Sequence, residues 1–377
     1  MRDALGDRRA FLRDLARWGA GAAAAPAALA AFAREVLADT SPYREVEYSK
    51  RLDGDRVQCF VCPLNCVLDH GLTCFCNTRR NHGGKLLSHA FANPCILRTD
   101  PIEKLPLNHF LPGTRTLSIA VGGCNLRCLY CQNWQQSMVR PESLKTWRLP
   151  PEQAAAGALE GELPTIALTY TEPVAFLEYA FRIAEHARRR GVKVVAATGA
   201  YINPGPMRDF AKRVDGMCCA LKGFDETFYR DVIGGELKPV LDALVAARET
   251  GVWLEIATLV VPTLNDDLKK VRRLAVWVKR YLGEDTPLHF ARFVPEYRLK
   301  NLPRTPVPAL TRAREEAQAA GLRYVYTTNV APHEGSATSC ARCHQPRIRR
   351  VGFRILENQL NNGSCPRCTR KVPGVWS

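Results

Sequence analysis

The residues best suited to chemistry are three cysteines in the run Gly122-Gly123-Cys124-Asn125-Leu126-Arg127-Cys128-Leu129-Tyr130-Cys131. Cysteine thiolates are the usual ligands of 4Fe–4S clusters. Three of them, Cys124, Cys128 and Cys131, leave one iron of a cubane without a protein ligand. An open iron can chelate the amine and carboxylate of a small molecule such as S-adenosylmethionine (SAM). Gly122 and Gly123 allow the tight loop this needs, and Tyr130 sets an aromatic ring before the last ligand. The spacing alone is shared with zinc and redox sites. The aromatic, and the place of the run directly after an apolar strand pattern, favour the open cluster.

The chain holds 15 cysteines in 377 residues, and they are clustered. Six lie in 59–95, three in 124–131, an adjacent pair at 218–219 and four in 340–368. An odd total with CxxC and CxxxC spacings reads as metal sites, because disulfides need particular Cα separations that close neighbours do not offer. The N-terminal group, Cys59-x2-Cys62-x3-Cys66 continuing to Cys74-x-Cys76, could hold a structural zinc or an auxiliary iron–sulfur cluster. The C-terminal group, Cys340-x2-Cys343 and Cys365-x2-Cys368, has 21 residues between its pairs. It suits a tetrahedral four-thiolate site, with zinc favoured and rubredoxin-type iron indistinguishable by ligand type. Cys218 and Cys219 read as small buried hydrophobes.

These groups need a scaffold. Short apolar runs at 117–121, 166–169, 192–197, 217–221, 254–260, 289–293 and 324–326 predict strands. Helical periodicity at 178–190, 206–213, 239–250, 267–282 and 310–319 fills the intervals. Alternation of this kind implies a parallel sheet with right-handed crossovers. The expected fold is α/β, an open or partial TIM-type barrel of about six β/α units, with small Cys-rich metal-bound modules at both ends. A doubly wound sheet remains the alternative. In either, ligands bind at the carboxyl ends of the strands. The expected boundaries are a leader at 1–39, a Cys-rich segment and lead-in at 40–115, the barrel at 116–330 and a zinc-ribbon-like module at 331–377.

The formal charge is +16, from 53 Lys and Arg against 37 Asp and Glu. This reads first as solvated basic faces, with an acidic partner or nucleic acid as the rival. Arg8-Arg9-Ala10-Phe11-Leu12-Arg13 has the twin-arginine pattern of a Tat export signal, followed by an Ala-rich run and an Ala31-Phe32-Ala33 cleavage pattern. A retained amphipathic helix is the alternative. Export to the periplasm and a cytoplasmic need for SAM pull in opposite directions, so the compartment stays open.

The strings CFVCPLNCVL, DPIEKLPLNHFLPG, GGCNLRCLYCQNW, LTYTEP, GAYIN, FDETFYRDVIGG, LVVPTLND, RFVPEYR and CPRCTRKVPGVW occur in this order after residue 57. Together they resemble the radical SAM protein of the AmmeMemoRadiSam system, a relative of glycyl-radical-enzyme activases such as pyruvate formate-lyase activating enzyme. The resemblance implies reductive cleavage of SAM on the cluster to methionine and a 5′-deoxyadenosyl radical, which abstracts hydrogen from a substrate. It implies a low-potential electron donor such as flavodoxin or ferredoxin, and it leaves room for a protein substrate that receives a glycyl radical.

It also assigns residues. Glu172, in Thr171-Glu172-Pro173, resembles the position that binds the amino group of SAM, where an ammonium needs a charge-assisted acceptor. Thr198-Gly199 stands where relatives tend to carry Asn-Gly. Ala220-Leu221-Lys222 stands where the family has Asp-Leu-Lys, so Lys222 could reach the SAM carboxylate or the substrate while a polar contact is lost at Ala220. The family's four N-terminal cysteines map to Cys59, Cys62, Cys66 and Cys76, which makes Cys74 and Cys95 extra. The expected cofactor contacts are thus Tyr130, Thr171, Glu172, Thr198, Lys222 and Arg292, with Lys222 and His289 as catalytic candidates near the strand ends. Two readings of other classes stand beside this one: a basic zinc-stabilised nucleic-acid binder, and a redox scaffold whose cluster never meets SAM.

Overall fold

The computed structural model describes residues 43–377; the twin-arginine segment and the whole of the expected leader lie outside them. Among the described residues no helix is long and apolar enough to cross a membrane.

The centre is one eight-stranded sheet. We number its strands β1 (Ile96–Pro101), β2 (Arg115–Ala120), β3 (Thr165–Leu168), β4 (Lys193–Thr198), β5 (Gly216–Ala220), β6 (Trp253–Val260), β7 (Leu288–Arg292) and β8 (Val325–Thr328). They lie side by side in chain order. The pairs from β2 to β8 are parallel, and β1 runs antiparallel to β2. The intervening helices are α1 (Pro151–Glu160), α2 (Leu177–Arg189), α3 (Pro204–Arg213), α4 (Leu237–Glu249), α5 (Leu268–Tyr281) and α6 (Val307–Ala319). Strands β1 and β8 are the two free edges of the sheet, so the barrel is open, as the β/α alternation predicts.

Two elements differ from expectation. Helix α1 escaped the helical reading because its core is AAAGA, which carries no apolar stripe; its buried residues beyond Pro151 are Ala154, Ala155 and Ala158. Strand β1 lies inside the segment expected to be a metal-stapled unit, and its backbone pairs with β2 along its whole length.

Outward residues such as Leu117, Ile119, Ile166, Val194, Met217 and Ile256 pack with the helices in the main core. Several inward ones are small: Ala167, Ala197, Cys218 and Ala257 face a second core, beside Val195 and Trp253. The space they leave is filled by the segment after β1, where Ile102, Leu105, Leu107, Phe110 and Leu111 are all buried. A barrel interior must be close-packed, and this chain achieves it with a plug drawn from the DPIEKLPLNHFLPG string. Gly216 makes the fit, since a Cβ there would lie 2.8 Å from the Phe110 ring.

The C-terminal module is a small antiparallel sheet, Thr338–Ser339, Pro346–Val351 and Arg354–Asn358. It is anchored on the plug. Arg350, almost fully buried, donates to the Asn108 carbonyl at 2.8 Å, and Val375 exchanges backbone hydrogen bonds with His109 and Leu111 at 2.7 Å each. At the other end, residues 44–88 form two three-stranded antiparallel sheets.

Candidate active site

The cysteine run leaves the carboxyl end of β2 and is held on three sides. The amide of Cys124 donates to the Cys76 carbonyl at 3.2 Å. Arg127 and Leu129 amides donate to Ile233 and Val232, and Asn125 Nδ2 reaches the Tyr201 carbonyl at 2.6 Å. Tyr201, Val232 and Ile233 lie in GAYIN and FDETFYRDVIGG, so two of the conspicuous strings clamp the loop. Gly123 has φ +101°, and a Cβ on it would come within 2.5 Å of the Cys76 carbonyl oxygen. No other residue fits there without moving the loop.

Cys124, Cys128 and Cys131 line a cavity of about 520 Å³ inside the barrel mouth, together with Tyr130, Thr171, Glu172, Thr198 and Lys222. Glu172 is buried and accepts three hydrogen bonds: from the Val174 amide at 3.1 Å, Thr198 Oγ1 at 2.6 Å and the Gly199 amide at 2.7 Å. Burial raises its pKa, against the lowering influence of those donors and of Lys222. Gly199 cannot be larger, since a Cβ would lie 3.1 Å from Glu172 Oε2 and 2.9 Å from Leu126. Burial is the strongest single influence on Lys222 and would lower its pKa. Cys128, Tyr229, Cys124 and Glu172 together outweigh it and leave the ammonium strengthened. Tyr130 is buried and its hydroxyl has no partner among the described residues. The walls between these groups are aliphatic: Ala197, Ala220, Ala257, Leu259 and Ala291.

Two expectations move. His289 does not line this cavity. It lies a layer deeper, fully buried, with Nε2 donating to Glu255 at 2.8 Å. Glu255 also accepts from the amides of Asn108 and His109 and from Trp253 Nε1. The plug therefore seals His289 away from the cysteines, and its role is to tie β6 to β7. Arg292 lines an adjoining cavity of about 460 Å³ with Arg304 and Phe353, and its Nε donates to the Thr305 carbonyl at 2.8 Å.

A third cluster at the cavity was missed by the sequence reading. Tyr170 donates to Asp100 Oδ2 at 2.6 Å, and Lys104 Nζ donates to Asp100 Oδ1 and Tyr170 Oη at 2.8 Å each. All three residues line the cysteine cavity. Tyr170 holds φ +64°, a strained conformation for a bulky side chain. Asp100, Lys104 and Tyr170 do stand in two of the unusual strings, which was the one available signal.

The accessory cysteines divide. The sulfurs of Cys340, Cys343, Cys365 and Cys368 all lie within 4.8 Å of one another, with Cys340–Cys368 at 3.5 Å and Cys343–Cys365 at 3.7 Å. Zn–S bonds of about 2.3 Å imply tetrahedral edges of about 3.8 Å, so this group could bind a single metal ion. At the N-terminal end, Cys59, Cys62, Cys74 and Cys76 are buried and Cys66 is half-buried, and Cys76 Sγ lies 3.1 Å from the Thr78 hydroxyl.

Comparison with known proteins agrees with this geometry. Residues 118–275 match the family model described as the radical SAM superfamily. The chain belongs to the radical SAM superfamily. It is 38% identical over 331 residues to an uncharacterized protein of Methanocaldococcus jannaschii, covering 87% of this chain and 98% of the relative. It is 27% identical over 176 residues to the pyruvate formate-lyase-activating enzyme of Clostridium pasteurianum, covering 45% and 71% respectively. Among solved structures, a radical SAM methyltransferase from Sphaerobacter thermophilus aligns over 86% of each chain at 15% identity with a TM-score of 0.47. Membership of this superfamily makes the chain an enzyme and implies a 4Fe–4S cluster and SAM. The donor set fits both: three thiols, a buried carboxylate, an ammonium and an unpartnered tyrosine hydroxyl share one cavity.

Proposed function

We propose that this chain binds a 4Fe–4S cluster through Cys124, Cys128 and Cys131, binds SAM in the adjoining cavity, and abstracts hydrogen from a substrate held at the far end of that cavity. The observation that carries the reading is the convergence of these thiols with Glu172 and Lys222 on one cavity. Bound together, the cluster and SAM supply a 5′-deoxyadenosyl radical.

The protein's own part is binding, orientation and exclusion of water. Glu172 is an acceptor for the SAM ammonium, pre-oriented by Thr198, Gly199 and Val174. Lys222 is the matching cation for the SAM carboxylate. Aliphatic walls keep water from the reacting carbon, and Ala220 belongs to those walls. The Asp100–Lys104–Tyr170 cluster offers polar groups to the substrate from the wall of the same cavity.

The finer reading is an activase of the glycyl-radical type acting on a protein partner with a low-potential donor, supported by the similarity to the Clostridium pasteurianum enzyme and by the resemblance to the AmmeMemoRadiSam radical SAM protein. Zinc is the proposed occupant of the C-terminal thiols. Anaerobic reconstitution followed by dithionite and SAM tests the central reading. Formation of 5′-deoxyadenosine that is lost in Cys128→Ala is expected; its absence from protein with a full cluster overturns it.

A further inference from the structure

The barrel mouth has a second chamber, and the charge on its walls is of one sign. This cavity of about 460 Å³ shares Gln132, Asn329 and Phe353 with the cysteine cavity. Its polar lining residues are Arg292, Arg304, Gln132 and Asn329, and Val294, Val330 and Ala331 supply apolar wall. Gln132 directly follows Cys131, so the chamber begins one residue from the last of the three candidate cluster ligands.

The fold builds the pairing of the two arginines. Arg292 ends β7 and Asn329 directly follows β8, so both stand at the carboxyl ends where a parallel barrel presents its ligand sites. Arg304 is brought to them by its neighbour Thr305, which is fully buried. Thr305 Oγ1 donates to the Val260 carbonyl at the end of β6 at 2.6 Å and accepts from the Phe293 amide at 2.9 Å. The Thr305 carbonyl accepts from Arg292 Nε at 2.8 Å. That bond fixes the plane of the Arg292 guanidinium and leaves its two terminal nitrogens for a ligand. The turn between the C-terminal strands Pro346–Val351 and Arg354–Asn358 adds Gly352 and Phe353 to the wall.

Elsewhere in the molecule arginines meet carboxylates: Arg79 with Glu178, Arg272 with Glu316, and Arg323 with Glu284 and Asp285. Among the described residues neither Arg292 nor Arg304 has an ion-pair partner, and the chamber they line has no acidic residue in its wall. A cleft lined by charge of one sign concentrates the opposite ion. One guanidinium can hold a carboxylate bidentately. Two guanidiniums with adjoining amide side chains suit a phosphate monoester, which carries about two negative charges and three strong acceptor oxygens. We infer that this chamber binds the phosphate of a small phosphate-monoester substrate and so sets the carbon that loses hydrogen toward the SAM cavity. This rests on the hydrogen abstraction proposed above, not on its activase form. The phosphate is a handle and takes no part in the bond changes.

Calorimetric titration of anaerobically reconstituted full-length protein with inorganic phosphate tests the site. Arg304→Gln should weaken phosphate binding about tenfold, the loss of one charge-assisted pair. Arg292→Gln should weaken it as well but also strips the Thr305 carbonyl of its donor, so the exposed Arg304 is the decisive position. The control Arg189→Gln/Arg208→Gln removes two exposed charges on α2 and α3 and should bind phosphate as the wild type does. Wild-type protein that binds no phosphate overturns the inference. So does a control that loses as much affinity as Arg304→Gln, since the binding then belongs to the basic surface at large. Succinate bound more tightly than phosphate overturns the choice of a phosphate monoester. SAM and phosphate should bind together; displacement of phosphate by SAM would give the arginines to the SAM carboxylate and overturn the substrate site. Because the titration needs neither reduction nor SAM cleavage, failure here is distinct from failure of the proposed function.

Discussion

Two buried glutamates stand in the same barrel interior and do opposite things. Glu255, in the lower layer, has its carboxylate filled by four donors: two plug amides, Trp253 and His289. Despite burial, these partners hold its pKa below the usual carboxylate range. Glu172, in the upper layer, has three donors but faces a cavity, and burial raises its pKa. A carboxylate saturated by its own protein is structure. One that is oriented yet open to a cavity has capacity left for a ligand's cation. The difference lies in what occupies the space in front of each: the plug below, and room for a cofactor above.

The largest effect should come from breaking the lower site. Glu255→Ala strands four donors and should cost roughly 3–5 kcal/mol of unfolding free energy in denaturant melts, as for other broken buried pairs.

Acid should act on the same layer. Burial lowers His109 to about 4; its neutral ring donates Nδ1–H to the Pro373 carbonyl and sets Nε2 beside the Tyr326 hydroxyl. The unfolded imidazole takes up a proton below about 6.5, which the buried ring refuses until about 4. The stability this group contributes is therefore complete above about pH 6.5 and falls as pH drops toward 4, by about 3 kcal/mol in all. Glu255 adds to this loss, because a carboxylate with a lowered pKa loses its contribution as pH falls through the folded value. Glu172 runs the other way: its raised pKa favours the fold at low pH and opposes it as pH rises. Glu172→Gln should therefore steepen the gain in stability as pH rises above about 4.3, the value of an unfolded glutamate, measured by melts across the series. A variant parallel to wild type would remove the contrast.

At Glu172 itself, Glu172→Gln should change stability by only about 1–2 kcal/mol. It should weaken SAM binding on the order of a hundredfold, through loss of the ion pair. Calorimetric titration of cluster-loaded protein with SAM separates these effects. The smallest effect is expected from Thr198→Val, which removes one of three donors to Glu172. About 1 kcal/mol of stability and a SAM affinity change of less than about tenfold are expected.

The same contrast explains what could be read in advance. Cys124, Cys128 and Cys131 lie within one loop, so their spacing, with Tyr130 and the strand before them, marks them as candidate ligands. The C-terminal pairs declare themselves in the same way, and the β/α alternation follows from periodicity inside each segment. His289 and Glu172 are both polar residues on barrel strands or their ends, and nothing local to either says which faces the cavity. That depends on the plug at 102–113, whose amides reach Glu255 across more than a hundred residues of chain. Cys74 illustrates the same limit: the resemblance makes it a surplus thiol, yet it is buried like Cys59, Cys62 and Cys76.

The sequence by itself therefore determined the α/β class, the candidate cluster triad and the four-thiol tail, because each is encoded by residues near one another along the chain. Tertiary structure alone decided which glutamate is free to bind. It also filled the barrel with the plug, joined Asp100 and Lys104 to Tyr170, and laid Cys76 against Cys124. Those outcomes depend on the inward faces of distant strands and on what packs against them. Local pattern carries information only about a residue's own turn or strand, and space inside a barrel is shared by all of its strands at once.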